Sequence, residues 1–149
     1  MSALCSLWIL ALAQTMGEEP PTGQALDRAV EVCQMVVDSA DRADVEPALA
    51  VALAWHESRL QFGLTSPCGA TGPMQVIARY WCADRRGQWE VNGEHIVEGC
   101  DLVEAGVRAL AYHLARRPVG GALSAYGGTR TYADRVLSLA TAIGHIDGE

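Results

Sequence analysis

The run PALAVALAWHESRL, from Pro47 to Leu60, restricts the fold of this chain more than any other segment. Proline's fixed φ suits the first turn of a helix, and every residue from Ala48 to Ala54 is Ala, Leu or Val. A helix that is apolar nearly all round has no solvent face, so it must be packed on several sides by other elements. The same helix ends in the polar triplet His56-Glu57-Ser58, which carries three reactive groups to the edge of a core.

The flanking segments supply the packing partners. From Thr22 to Arg42 the apolar residues Leu26, Ala29, Val30, Cys33, Val36, Val37 and Ala40 recur at intervals of three and four, the pattern of an amphipathic helix. Gly63 and the stretch Ser66 to Pro73 read as a turn-rich loop, and Ala83 to Gly99 as an excursion or small hairpin. Asp101 and Glu104 have capping-box spacing, which predicts a helix from there to about Arg117. Gly120-Gly121 is expected to break the chain before a short helical piece at Ala122 to Tyr126. A last helix is expected from about Thr131 to Ile143, followed by a frayed GHIDGE tail. The expected fold is mainly α with little or no sheet, one domain over residues 22–145.

Residues 1–21 stand apart as an apolar leader or N-terminal arm. The apolar stretch Ala3 to Ala13 is shorter than the roughly 20 residues needed to span a bilayer. It has the length of a signal-peptide core, with a small-x-small site at Ala11-Leu12-Ala13, yet no basic residue precedes Arg28. Three readings stay open: a cleaved export signal, an uncleaved arm packed on the domain or inserted into an assembly, and a plain first helix. Loss of the leader would take Cys5 with it and leave Cys33, Cys68, Cys82 and Cys100, an even number. Cys82 and Cys100 bracket the polar Gly-containing segment, so a bridge between them would staple it; the alternative is small buried thiols in a reducing compartment.

Charge excludes several functions. With 18 acidic residues against 11 basic ones the chain carries a net charge of -7, which argues against nucleic acid or anionic membranes as partners. All the basic residues are arginine, so lysine-dependent chemistry has no residue to use. The histidines do not cluster with the cysteines, HExxH fails at Leu60, and no cofactor or metal is expected.

Glu57 remains as the chemical candidate. A carboxyl set among Trp55 and alanines loses solvation of its charged form and holds its proton to higher pH, as a general acid requires. The glycines of the following loop would let backbone amides approach a sugar chain closely.

Four blocks of the chain resemble the signature of the Slt-type (family 1) lytic transglycosylases of the lysozyme-like superfamily. Glu57-Ser58 matches the Glu-Ser pair, and Ser66, Gly69, Ala70, Gly72, Met74, Gln75 and Val76 match the Ser-x-x-Gly-Ala-x-Gly-Leu-Met-Gln block. Cys100 to Gly106 resembles Cys-x-Asn-Ile-x-x-Gly, and Ala125-Tyr126-Gly127-Gly128 with Tyr132 and Val136-Leu137 resembles the Ala-Tyr-Asn-Ala-Gly block with its following helix. The likeness spans roughly Pro47 to Leu139, with Pro73 in place of Leu, Leu102 in place of Asn and Gly127 in place of Asn.

The resemblance implies a goose-type or Slt-like lysozyme fold and peptidoglycan as substrate, cut between N-acetylmuramic acid and N-acetylglucosamine to leave a 1,6-anhydro end. It implies Glu57 as catalytic acid and base, Ser66 and Gln75 on acetamido and hydroxyl groups, and Met74 on the cleft floor. Tyr126 would hydrogen-bond Glu57, and Tyr132 is a candidate for lining the cleft. Trp81, Trp89 and Tyr80 are candidates for stacking on sugars or for plain core. A hydrolysing muramidase would need a second carboxylate, for which Asp84, Glu90 and Glu94 are the candidates. A non-catalytic glycan-gripping component of a phage tail or secretion apparatus is the reading from another class. Protein partners are expected in such an assembly, with the protein facing the cell wall or periplasm by export or as part of a virion.

Overall fold

The computed structural model describes residues 2–82 and 100–145. Its centre is the apolar helix read from the sequence, α3 (Pro47–Ser58), in which every residue from Ala48 to Trp55 is buried. Around it lie α1 (Ala3–Thr15), α2 (Gly23–Arg42), α5 (Leu102–Leu114), α6 (Val119–Gly127) and α7 (Arg130–Ala142). A one-turn α4 (Ala78–Trp81) follows a two-stranded antiparallel sheet, β1 (Ala70–Thr71) paired with β2 (Val76–Ile77) in the register Ala70 to Ile77. The mainly α expectation with little sheet holds.

The small side chains of α3 explain its position, because alanine lets neighbouring helices approach on all sides. The helices α2 and α7 pack along it. From α2 the stripe Ala29, Val30, Cys33, Val36 and Ala40 turns inward at the spacing the sequence announced, and α7 contributes Ala133, Val136, Leu139 and Ala140. Asp101 caps α5, its carboxylate accepting from the Val103 and Glu104 amides at 3.1 and 3.0 Å.

Two local expectations need correction. The pair Gly120-Gly121 does not precede α6 but sits in its first turn, because Pro118 presets the chain for helix entry and accepts the Ala122 amide at 2.8 Å. Glycine costs least there, where backbone N–H groups have no intrahelical partner anyway. Nor is the chain frayed as far as His145. Its amide bonds the Ala140 carbonyl at 2.8 Å and its Nδ1 donates to the Glu46 carboxylate at 2.7 Å, with a side chain 2% exposed. The last four residues lie outside the described part.

The apolar N-terminal stretch forms α1, capped by Ser2, with Cys5, Ile9, Leu12 and Ala13 buried in the main core against α2 and α7. The cysteines pair as Cys5–Cys33 and Cys82–Cys100, and Cys68 is free and exposed. The second bridge is the one expected from the bracketed segment. Cys5 pairs with Cys33 where α1 packs along α2 in the core. Among the described residues no helix is long and apolar enough to cross a membrane.

This pairing predicts that denatured, unreduced protein takes up iodoacetamide at one position, Cys68, in peptide mapping; labels at three positions would mean a bridge is open. Closing a loop of 28 residues, the Cys5–Cys33 bridge is worth about 3–4 kcal/mol, so Cys33→Ser should lower the urea unfolding free energy by that amount.

Candidate active site

The site begins where α3 stops. Arg59 and Leu60 both adopt left-handed backbone conformations, with φ of 57° and 61°. For residues with a Cβ this costs about 1–2 kcal/mol each, and the surroundings supply the compensation. The Arg59 amide bonds the Trp55 carbonyl at 2.9 Å, and its guanidinium donates to the Trp55 and His56 carbonyls at 2.8 and 2.9 Å. The other edge of that guanidinium grips both oxygens of Glu18 at 2.8 and 2.7 Å, while Leu60 is buried. Thus the segment joining α1 to α2 clamps the end of the helix that carries Glu57.

Ser58 ties this end to the glycine loop. Its buried hydroxyl lies 2.7 Å from the Pro73 carbonyl, with the Ala54 carbonyl at 3.2 Å, and it accepts the Gln61 amide at 3.1 Å. Within the loop Ser66 Oγ accepts the Ala70 amide at 3.1 Å, and the Thr65 and Thr71 hydroxyls meet at 3.0 Å. The Gln75 side-chain amide donates to the Leu64 and Gly72 carbonyls, both at 2.9 Å. Ser66 and Gln75 therefore shape the loop, leaving the Ser66 proton and the Gln75 Oε1 as groups that can face a ligand.

Close packing explains two glycines of the signature. At Gly72, φ is +82° and a Cβ would fall 2.9 Å from Leu102. Leu102, where the family pattern has Asn, thus seats the loop by contact, with Asp101 capping the same helix. At Gly106 a Cβ would fall 2.5 Å from the Cβ of Met74. Met74 is fully buried, so it is core beneath the loop and not an exposed cleft floor as expected.

The hydrogen bond to Glu57 expected of Tyr126 is made by Tyr132. Tyr132 donates to Glu57 Oε2 at 2.6 Å, whereas Tyr126 donates to the Met74 carbonyl at 2.6 Å and braces the loop. The reason is reach. A Cβ at Gly127 would lie 2.1 Å from Tyr132 Cδ1, so the residue after Tyr126 leaves the space through which the Tyr132 ring passes. The two rings stack with centroids 6.5 Å apart and planes 15° apart, and His56 meets Tyr132 edge-on at 5.1 Å.

Burial raises the pKa of Glu57, partly offset by the Tyr132 hydrogen bond. Its place at the negative end of the α3 dipole acts in the same direction as burial. Both tyrosines are pushed far up, chiefly by burial and then by the Glu57 charge, so they remain donors throughout the working range. Burial lowers the pKa of His56, with Arg59 and Arg135 adding to the effect.

Sequence reasoning therefore finds Glu57 and the loop but misses Ser58 as the tether, Gly127 as the gap for Tyr132, and the Glu18–Arg59 clamp. The departure at Gly127 was the available signal for the second; nothing local marks a pair 41 residues apart. Among the described residues no group of three metal-ligating side chains occurs. Trp89, Asp84, Glu90 and Glu94 lie outside the described residues. A cavity of about 450 Å³ beside Arg59, Trp55 and Phe62 does not include Glu57.

A carboxylic acid desolvated at the end of a buried helix, next to the serine that ties that end to a glycine-rich loop inside a helical domain, is the arrangement of a lysozyme-like fold. The family model described as Transglycosylase SLT domain matches residues 34–140, and the chain belongs to that family. Its general function is accordingly peptidoglycan cleavage of the lytic-transglycosylase type. No curated protein and no solved structure shows a significant match to the chain.

Folding favours protonated Glu57, so wild-type stability falls as pH rises from the ordinary value of 4.5 through the raised native value. Glu57→Gln lacks this loss, and it should melt above wild type at pH 7 and together with it below that window, as read by circular dichroism. Gly127→Ala should push Tyr132 off Glu57 and cost about 1–3 kcal/mol in chemical unfolding, with a parallel fall in cleavage.

Proposed function

We propose that the protein is a lytic transglycosylase in the strict sense, cleaving the β-1,4 bond between N-acetylmuramic acid and N-acetylglucosamine and leaving a 1,6-anhydro end. The observation that carries the reading is Glu57 itself: burial favours its neutral form, and the Tyr132 hydroxyl at 2.6 Å stabilises its anion. One group can then give and take a proton within a single turnover. Protonated Glu57 delivers its proton to the glycosidic oxygen as the bond breaks. The acetamido oxygen of the substrate holds the sugar cation, and the Glu57 carboxylate accepts the C6 hydroxyl proton as that oxygen closes the ring. No water enters the product, and Glu57 ends protonated.

This route needs no second carboxylate, and among the described residues no other carboxylate weighs on the proton affinity of Glu57. Ser66 and Gln75 would meet acetamido and hydroxyl groups with the donor and acceptor that the loop leaves over. Both disulfides suit an oxidising compartment. In this reading the protein would face the cell wall, by export or in a virion, where local opening of the wall would serve a larger assembly. An acidic protein gains no electrostatic attraction to an anionic wall polymer, so protein partners would supply localisation.

Digestion of purified sacculi tests this. Mass spectrometry should show muropeptides one water lighter than hydrolysis products and resistant to borohydride reduction. Glu57→Gln should lower their release by about 10³-fold. Reducible, hydrated ends would replace the proposal by a muramidase, and no release from wild type would leave only glycan gripping.

A further inference from the structure

Tyr132 reaches Glu57 from the first turn of a neighbouring helix, and a hydrogen bond made by so long a side chain lasts only where the ring is kept from turning away. Its backbone is fixed by Thr129, whose hydroxyl accepts the Tyr132 amide at 3.0 Å. The ring occupies the gap left at Gly127 and stacks on Tyr126 with planes 15° apart, two contacts that both come from α6. From α3 it is met by His56, with ring centroids 5.1 Å apart and planes 78° apart, a favoured edge-to-face geometry.

His56 is held in its turn. Its carbonyl accepts from Arg59 at 2.9 Å, and Glu18 grips the other edge of that guanidinium, so the clamp at the helix end also fixes the backbone from which the His56 ring projects. Histidine at this place carries a cost that a hydrocarbon ring would not. Its Nδ1 is buried with no hydrogen-bond partner among the described residues, and a buried polar atom left unpaired destabilises the fold. Burial keeps the ring neutral, and the nearby charges, Arg59 at the end of α3 and Arg135 on α7, act in the same direction. A sealed Nδ1 has no access to a glycan. What the ring offers the site is an uncharged edge against Tyr132.

We propose that His56 is a positioning residue, whose ring confines Tyr132 from the α3 side and so keeps the Tyr132 hydroxyl on Glu57. Without it Tyr132 is held from α6 alone and turns away, leaving the Glu57 anion without a donor. Tyr126, the other titratable group beside Glu57, is no substitute, because its hydroxyl is committed to the Met74 carbonyl. The catalytic consequence rests on the reading of Glu57 as the glycan-cleaving acid; the placement of Tyr132 does not.

Carbon-13 NMR titration of the Glu57 carboxyl in the full chain reads the effect without turnover, the signal being assigned by its loss in Glu57→Gln. The Tyr132 bond lowers the Glu57 midpoint, so His56→Ala should raise it as far as Tyr132→Phe does, and the double variant should show no further rise. His56→Phe, which restores a ring edge without the orphan nitrogen, should return the midpoint to wild type and melt no lower than wild type. If His56→Ala does not fold, His56→Gln carries the same expectation. A lower midpoint on loss of the ring, the sign of water reaching Glu57, overturns the proposal, as does an additive rise in the double variant or a midpoint that His56→Phe fails to restore. Sacculus digestion separates the two claims. Where wild type cleaves, His56→Ala should release about tenfold less product and His56→Phe should recover the loss, and undiminished release from His56→Ala overturns the positioning role. No cleavage by wild type, with the titration as expected, removes the catalytic reading of Glu57 and keeps the placement of Tyr132 by His56.

Discussion

How the central helix ends decides the rest of the site. A helix as apolar as α3 must be buried along its length, and a buried helix can expose a catalytic group only at a terminus. The terminus here is a reversal through two left-handed residues, Arg59 and Leu60. Such a turn is normally left to glycine. It persists because the Arg59 side chain satisfies the last carbonyls of its own helix while Glu18 fixes its outer edge. Local strain and distant bracing thus fix the end of the helix that carries Glu57.

Around Glu57 two opposing effects are balanced. Desolvation alone would make the carboxyl a weak acid and a reluctant anion. A hydrogen bond from a tyrosine that never ionises in the working range restores stability to the anion without adding charge. That balance depends on a missing side chain, since Tyr132 occupies the space a Cβ on Gly127 would take. The departure from the family pattern at Gly127 and the assignment of the Glu57 bond to Tyr132 are one structural fact. Tyr126, freed from that role, links α6 to the Met74 carbonyl and supports the loop that Ser58 holds from the other side.

Much of this was legible in the sequence, for identifiable reasons. Periodicity locates α2 to within a residue, because burial on one face imposes a spacing that survives without knowledge of the partner. Capping by Asp101 and the start of α3 at Pro47 were readable because they depend on neighbours along the chain. The start of α6 is not legible locally because the effect of glycine depends on its position in a helix, and in the first turn Gly120 and Gly121 cost little. His145 reads as tail in the sequence because its partner, Glu46, stands 99 residues away.

The sequence by itself determined that this is a helical domain around a buried α3, that Glu57 stands at the edge of its core, and that a glycine loop follows. These are consequences of residue type and short spacing. Only the tertiary structure decided which tyrosine bonds Glu57, that Met74 is core, that Glu18 clamps Arg59 and that Cys5 joins Cys33. Each of those depends on the distance between elements remote in the chain, and that distance is set by how the helices pack, which no local pattern of residues encodes.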